Sequence, residues 1–274
     1  MKLAFSSNAF RKYSIEETIG IVAGIGYDGI EIMCDTPHCW PPDLTPQKIV
    51  SIKNNISKHK LGISNLNAFM MCAIGDFHHP SWIEEDEAYR QKRIDHTADC
   101  VRLANSMGVK NISTEPGGHI GSMNRSDALS LFRKGILSVA GEAERLGVKI
   151  LVEPEPELLI ENSEQFIEFI SGIDSPAVGL NFDIGHFYCV GEDPADLIRK
   201  FGNRISHFHL EDISSNMKHF HLPPGEGNID FASVFNAMSE IGYEGWVTIE
   251  LYPFQEDAPE VAKRAFDFVK RYVK

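Results

Sequence analysis

Cysteine is scarce in this sequence, and the five cysteines present do not form a recognisable set. Their number is odd and no CxxC spacing joins them, since they stand at positions 34, 39, 72, 100 and 189. This excludes a disulfide framework and predicts reduced thiols in the cytoplasm. The sequence also lacks any run of about 18 apolar residues, and its start resembles a strand, without the apolar region of a signal peptide. No membrane partner is therefore predicted.

Positive charge is also limited. The 26 lysines and arginines are outnumbered by 39 aspartates and glutamates, which gives a formal net charge of −13. Proteins that bind duplex nucleic acid usually carry a basic face, because neutralising phosphates supplies most of their affinity. The balance predicts no nucleic-acid partner and favours a small neutral substrate.

Eight short apolar segments alternate with segments of helical periodicity along residues 1–274. The predicted strands are 2–5, 29–33, 62–67, 111–114, 149–153, 178–183, 205–210 and 246–251. The absence of a GxGxxG fingerprint after the first strand argues against a doubly wound sheet. Together with 274 residues and 43% hydrophobic content, the alternation predicts an α/β fold, a single (β/α)8 TIM-barrel domain.

Four consecutive predicted strands end in a carboxylate or an imidazole. These residues are Glu153, Asp183, His209 and Glu250. In a (β/α)8 barrel the carboxyl ends of the strands meet at one rim and carry the active site. Three carboxylates buried together would be costly without a cation. An oxygen-rich set with one nitrogen favours Mn²⁺ or Mg²⁺ and is also compatible with Co²⁺ or Zn²⁺.

These residues resemble the metal site of the xylose isomerase-like TIM-barrel superfamily, which includes sugar and sugar-phosphate isomerases and epimerases and is related to ketose 3-epimerases and endonuclease IV. The resemblance covers nearly the whole chain, and its specific motifs lie in residues 149–252, including Asp183-x-x-His186. It implies that Glu153, Asp183, His209 and Glu250 bind one divalent metal. It also implies that Glu153 and Glu250 exchange protons on opposite faces of a small sugar or polyol substrate, and that the chain forms a homo-oligomer.

The chemistry of such a site leaves several reactions open. Removing a proton beside a carbonyl produces an enediolate, whose negative oxygens need electrophilic stabilisation. Two bases on opposite faces would give an epimerase, and one base would give an aldose–ketose isomerase. A dehydratase acting on an inosose shares the same proton abstraction. An endonuclease resembling endonuclease IV is less favoured, because the third and fourth strands end near Asn67, Thr114 and Glu115 instead of histidines.

The sequence departs from the ketose 3-epimerases in one place. Those enzymes carry an arginine six residues after the strand-seven histidine, where this chain has Ser215. The nearby His219 and His221 are predicted, together with His186 and Asn67, to bind substrate, and a second metal is the alternative role for the two loop histidines.

Other polar residues of the sequence are not assigned to the predicted metal site. His207 is predicted to be a buried, hydrogen-bonded core residue, and His78 and His79 are predicted to lie in a lid or at the surface. Glu31, near the end of the second strand, fits a pocket or a structural hydrogen bond equally well. Glu155 and Glu157, which alternate with prolines, are predicted to be solvated.

Overall fold

The computed structural model describes residues 1–273, and these form a closed barrel of eight parallel strands in sequential order. The strands are β1 (Lys2–Ser6), β2 (Gly29–Met33), β3 (Gly62–Asn67), β4 (Asn111–Thr114), β5 (Lys149–Val152), β6 (Val178–Asp183), β7 (Ile205–Leu210) and β8 (Trp246–Ile249). The prediction of a (β/α)8 barrel is confirmed.

The α-helices surround the strands and return the chain from one strand to the next. They are α1 (Ile15–Ile25), α2 (Pro46–Lys58), α3 (Glu87–Met107), α4 (Arg125–Leu146), α5 (Ser163–Ser171), α6 (Ile184–Cys189), α7 (Pro194–Phe201), α8 (Phe231–Glu240) and α9 (Ala258–Val269). Within residues 1–273, none of these helices combines the length and the apolar character needed to cross a bilayer.

Local sequence signals set where several helices begin and end. Ser14 and Glu17 form a reciprocal capping box at the start of α1, which satisfies two backbone N–H groups that the helix leaves free. Gly108 and Gly147 end α3 and α4 in the left-handed conformation, which glycine adopts without a steric penalty. The strands β4 and β5 begin within three residues of these glycines.

Two strands are shorter than predicted at the rim. β5 ends at Val152 and β8 at Ile249, so Glu153 and Glu250 lie just beyond the strands. Each still donates its backbone N–H to the neighbouring strand, Glu153 to the Thr114 carbonyl at 3.2 Å and Glu250 to the Leu210 carbonyl at 3.1 Å. Both side chains are therefore held at the carboxyl end of the barrel even though the regular ladder has stopped.

The inside of the barrel contains a hydrogen-bonded polar layer below the rim. His207 contacts the Asn181 side-chain oxygen at 2.7 Å and the Thr248 hydroxyl at 2.9 Å, and Thr248 contacts the Ser64 hydroxyl at 3.0 Å. All four side chains are buried, so each needs such a partner. The prediction that His207 is a buried core residue is confirmed.

The long connection after β3 lies over one side of the barrel mouth. Asp35 holds its first part by accepting the backbone N–H groups of Met71, Cys72 and Ala73 at 2.6, 2.7 and 2.9 Å. Farther along the chain, the buried Arg93 donates to the Pro80 carbonyl at 2.9 Å. The connection is thus fixed at two points, with residues 74–79 between them.

Candidate active site

The four predicted metal ligands meet at the carboxyl end of the barrel. Each of Glu153, Asp183, His209 and Glu250 offers one ligand atom, and these atoms all lie within 4.8 Å of one another. All four side chains are buried. The strands β5 to β8 therefore bring together three carboxylates and one imidazole at one point, as the strand ends predicted.

His209 stands between carboxylates on both edges of its ring. Its Nδ1 lies 2.8 Å from Oε1 of Glu153 and 3.6 Å from Oε2 of Glu250, while its Nε2 lies 2.8 Å from Oε2 of Glu31. Burial alone would lower the pKa of His209, but the surrounding carboxylates, Glu153 and Glu31 foremost, raise it well above its ordinary value. A cation at Nδ1 would take the place of the proton that this position otherwise needs.

Glu31 is a member of the site that the sequence left undecided. It lies in β2, fully buried, and receives hydrogen bonds from Asn65 at 2.8 Å and Asn67 at 3.4 Å besides the contact with His209. Burial opposes its ionisation, yet His209, together with His207 and Asn65, outweighs burial and lowers the pKa of Glu31 to about 2. A charged Glu31 accepts the Nε2–H of His209 and leaves Nδ1 free to ligate, an arrangement common around metal-binding histidines.

Asp183 has one satisfied and one unsatisfied oxygen. Its Oδ1 accepts the backbone N–H of His186 at 2.7 Å and so caps α6, whereas its buried Oδ2 has no hydrogen-bond partner among residues 1–273. A buried carboxylate oxygen without a partner is rare and costly. A cation, or a proton on the neighbouring buried carboxyl of Glu211, would supply the missing partner.

Burial also changes the pKa values of the two glutamates at the rim. It raises the pKa of Glu153 above its ordinary value, against the effect of His209. Burial and nearby carboxylates raise the pKa of Glu250 well above its ordinary value, again despite His209. A divalent cation would relieve this repulsion, and its oxygen-rich surroundings fit the ligand preferences of Mg²⁺ and Mn²⁺. The residues present therefore fit a divalent metal.

Two asparagines orient Glu250. Its Oε1 accepts hydrogen bonds from the side-chain amides of Asn8 at 2.8 Å and Asn67 at 3.1 Å. Asn67 also accepts the backbone N–H of Phe69 at 3.0 Å, so both ends of its amide are used within the protein. Asn67 was predicted to bind substrate, and the structure places it at the cavity wall in a position that orients Glu250. Asn8 follows β1 and was not singled out in the sequence.

A small cavity of about 20 Å³ lies beside the four residues. A larger cavity, between α5 and α7, touches none of them. The walls of the smaller cavity combine carboxylates, imidazoles, amides and an apolar side, and they contain neither lysine nor arginine: Asn8, Asn67, Phe69, Met71, Phe77, Glu153, Glu155, His186, His221, Glu250 and Tyr252. The site therefore suits a small neutral molecule.

The prediction made from the sequence for Glu155 is wrong. It was predicted to be solvated, but it is buried and lines the cavity, whereas Glu157 is exposed as predicted. The segment after β5 folds back on itself, because the N–H of Glu155 donates to the Ile160 carbonyl at 3.0 Å. This turns the Glu155 carboxyl inward, and burial together with Glu153 raises its pKa well above the ordinary value.

Three histidines that were predicted to bind substrate also lie together. The Nε2 of His221 is 3.3 Å from Nε2 of His186 and 3.4 Å from Nε2 of His219. Two of the three, His186 and His221, line the cavity. The structure thus brings the predicted group together, on the side of the cavity next to Asp183 and Glu250.

The two other histidines of interest lie at the rim. His78 packs edge-on against His119, with 4.6 Å between ring centroids, and His79 contacts Glu84 at 2.6 Å through Nδ1. Both are partly exposed, as the surface interpretation predicted. Neither belongs to the cluster around His209.

The sequence of this chain matches that of a known protein family. The sequence profile described as xylose isomerase-like TIM barrel matches residues 19–272. A fructoselysine 3-epimerase of Shigella flexneri is 23% identical, with 96% of this chain and 95% of the relative aligned. An inosose dehydratase of Clostridium botulinum is 31% identical, but over only 48% of this chain and 49% of the relative.

One solved structure with a similar fold is also named after an epimerase. The crystal structure of a D-tagatose 3-epimerase-like protein superposes with a TM-score of 0.79 at 26% identity, and both chains are covered completely. The relatives in sequence and in structure thus include enzymes named for two reactions, epimerisation and dehydration.

Proposed function

We propose that this chain, which belongs to the xylose isomerase-like TIM barrel family, is a divalent-metal-dependent isomerase or epimerase of a small neutral sugar or polyol-derived ketone. The observation that carries the proposal is the convergence of Glu153, Asp183, His209 and Glu250 within 4.8 Å beside a cavity. The epimerase relatives support the same class of reaction.

Glu153 and Glu250 are the proposed proton-transfer groups. They follow β5 and β8, both lie near Nδ1 of His209, and both line the cavity. Burial raises the pKa of each above its ordinary value, which favours the protonated form more than in water and suits an acid/base group. Removal of a proton by one and its return by the other would invert the carbon beside the carbonyl.

The proposed metal ligands are Glu153, Asp183, His209 and Glu250. A divalent cation held by them would supply electrophilic stabilisation of the oxygens that become negative when the proton leaves. The chain's own contribution is to orient the ligands: Glu31 fixes the His209 ring, and Asn8 fixes the Glu250 carboxylate.

The proposed substrate is neutral and small. A phosphate would find no lysine or arginine among the cavity walls to pair with its charge. The imidazoles of His186 and His221 offer polar partners for substrate hydroxyls, and Phe77 and Tyr252 supply apolar surface. The excess of negative charge likewise supports a partner other than nucleic acid.

A dehydratase acting on an inosose-type ketone is the second candidate. The relative named inosose dehydratase favours it, and so does one feature of the cavity, the buried carboxyl of Glu155. Its raised pKa suits proton donation to a departing hydroxyl. Loss of water from the carbon next to the deprotonated one would then replace reprotonation.

The test is a deuterium-exchange screen. The purified protein, loaded separately with Mn²⁺ or Mg²⁺, is incubated in D₂O with ketoses, inososes and their phosphates, and the products are followed by NMR. Deuterium uptake beside the carbonyl without loss of water supports an isomerase or epimerase, and loss of water supports the dehydratase. The absence of metal-dependent exchange or dehydration with every neutral ketone would reject the proposal.

A further inference from the structure

The cavity beside the candidate metal ligands is too small to take in the proposed substrate as it stands. Its volume is about 20 Å³, and a single water molecule already needs about 10–15 Å³. Cavities that hold small ligands usually measure about 300–1,000 Å³. A sugar or polyol can therefore enter only if part of the cavity wall moves.

Much of the wall is tied to the barrel by hydrogen bonds. The backbone N–H of Phe69 donates to the Asn67 side chain at 3.0 Å, and the Asn8 amide donates to Oε1 of Glu250 at 2.8 Å. The Nδ1–H of His221 donates to the Glu250 carbonyl at 3.0 Å. These parts cannot move apart without leaving buried polar groups unpaired, which is costly.

Residues 74–78 are the exception. Within residues 1–273, the hydrogen bonds of this segment join it only to itself and to His79. The backbone N–H of His78 donates to the Asp76 carboxylate at 3.0 Å, and that of His79 donates to the Asp76 carbonyl at 3.3 Å. Gly75 has a φ of +66°, and a β-carbon there would collide with the His79 carbonyl. The segment is therefore a compact turn that can move as one unit.

Ring contacts hold this turn over the cavity. The ring centroids of Phe77 and Tyr252 lie 5.5 Å apart, and those of His78 and His119 lie 4.6 Å apart. Phe77 and Tyr252 both pack against a small apolar cluster that is separate from the main core and consists of Met33, Phe69 and Met71. Apolar contacts are not directional, so the turn can leave this cluster without stranding a buried polar group.

Both ends of the turn are anchored. On one side, Asp35 accepts the backbone N–H of Ala73 at 2.9 Å. On the other side, Oε1 of Glu84 accepts the backbone N–H of Ser81 at 2.7 Å and lies 2.6 Å from Nδ1 of His79. Motion is therefore confined to the residues between Ala73 and His79, and the barrel need not change.

We propose that residues 74–78 form a lid, closed in this structure, that moves away from Tyr252 to admit the substrate, and that Phe77 is the residue that closes the cavity. Opening requires only the loss of the contacts of Phe77 with its apolar neighbours and of His78 with His119. Local openings of this kind cost far less free energy than global unfolding. The lid rests on the proposed function for one point alone, the size of the molecule that must enter.

The chain offers two matched bonds for a test by limited proteolysis. Chymotrypsin cleaves after aromatic residues, and Phe77 and Phe220 are each followed by a histidine and, at the third position, by a proline. Phe220 is 48% exposed, whereas Phe77 is partly buried. The loop of Phe220 is fixed, however, by two backbone hydrogen bonds of 2.8 Å between Asp212 and Leu222. Exposure alone predicts cleavage after Phe220 first, and a lid predicts cleavage after Phe77 first.

The wild-type protein is treated with a low concentration of chymotrypsin under native conditions, and the first fragments are quantified by mass spectrometry. We expect cleavage after Phe77 to be at least about tenfold faster than cleavage after Phe220, because proteolysis follows the population of the open form. Cleavage after Phe77 that is no faster than cleavage after Phe220 would overturn the lid.

Tyr252→Ala tests the contact that closes the lid. Loss of the ring facing Phe77 should increase the rate of cleavage after Phe77 by about 2–10-fold, the value of one aromatic pair. Phe254→Ala is the matched control, because Phe254 belongs to the same loop but lies 6.2 Å from Phe220, between ring centroids. It should leave cleavage after Phe77 unchanged. An unchanged rate in Tyr252→Ala, with circular dichroism showing the native fold, would overturn the closing role of Phe77.

Failure of the lid and failure of the proposed function give different results. Metal-dependent deuterium exchange without preferential cleavage after Phe77 would reject the lid and leave the function standing. Preferential cleavage after Phe77 without exchange on any ketone would reject the function and leave the lid standing.

Discussion

The Nε2 atom of His209 lies 2.8 Å from Oε2 of Glu31, across the barrel interior from β7 to β2. Both side chains are fully buried, so the pair is shielded from water. The contact directs the hydrogen of His209 toward Glu31 and leaves Nδ1 facing Glu153 and Glu250. The side of the ring that faces the proposed metal is thus decided by a residue from the opposite half of the chain.

Replacing Glu31 should weaken metal binding without removing a ligand. In Glu31→Gln the charge that stabilises the protonated Nε2 of His209 is lost, and we expect metal affinity to fall about 10–100-fold, as for other partners of metal-bound histidines. Isothermal titration with Mn²⁺ measures this. Glu157→Gln, at an exposed position, should bind Mn²⁺ like the wild type, and equal affinities for all three proteins would contradict the role given to Glu31.

Replacing either rim glutamate should stop proton transfer while the fold survives. We expect Glu153→Gln and Glu250→Gln each to reduce deuterium exchange by at least about 10²–10⁴-fold, because each removes a positioned acid or base. Circular dichroism should stay unchanged, since a glutamine can keep the hydrogen bonds from Asn181 to residue 153 and from Asn8 to residue 250. Near wild-type exchange in either variant would remove that residue from the mechanism.

The metal-free protein should lose stability as pH rises through neutrality. The pKa values of Glu155 and Glu250 are raised well above 4.5 by burial, and that of Glu115 is raised to about 7. A carboxyl with a raised folded pKa stabilises the fold below its unfolded pKa and loses this contribution as pH increases. Buried histidines such as His207 have lowered pKa values, so their effect appears only below about 6.5.

Urea unfolding from about pH 6.5 to 8.5 measures this dependence, since above the unfolded histidine pKa of about 6.5 the histidines with lowered pKa values no longer contribute. With Mn²⁺ bound, the sign should reverse, because a metal binds the deprotonated ligands and its affinity increases with pH. A metal-free protein whose unfolding free energy rises across this range would contradict the assigned burial effects.

We expect Asp212 to stabilise the loop that carries His219 and His221. Its carboxylate accepts the backbone N–H of Ile213 at 2.9 Å besides those of three residues between 225 and 229. Asp212→Ala should lower the free energy of unfolding by on the order of 3 kcal/mol, the value of one or two hydrogen bonds to a charged group. Thermal unfolding measures this effect, and Asp230→Ala, at an exposed helix cap, serves as the control.

The sequence predicts the backbone fold of this protein more completely than it predicts the contacts within the site. The sequence by itself determined the barrel, because apolar runs alternating with amphipathic segments leave parallel strands few other ways to pair. It also determined which end carries the chemistry, since Glu153, Asp183, His209 and Glu250 each stand at a strand end, where neighbouring parallel strands must bring them together.

Only the tertiary structure decided the contacts that depend on closing the barrel or folding a loop back. Glu31 meets His209 because β2 and β7 face each other across the barrel interior, and no spacing along the chain encodes that distance. Glu155 turns inward through one backbone hydrogen bond, although its neighbouring prolines suggested an exposed loop. The three histidine nitrogens meet because a loop held by Asp212 packs against α6, a relationship set by packing in three dimensions.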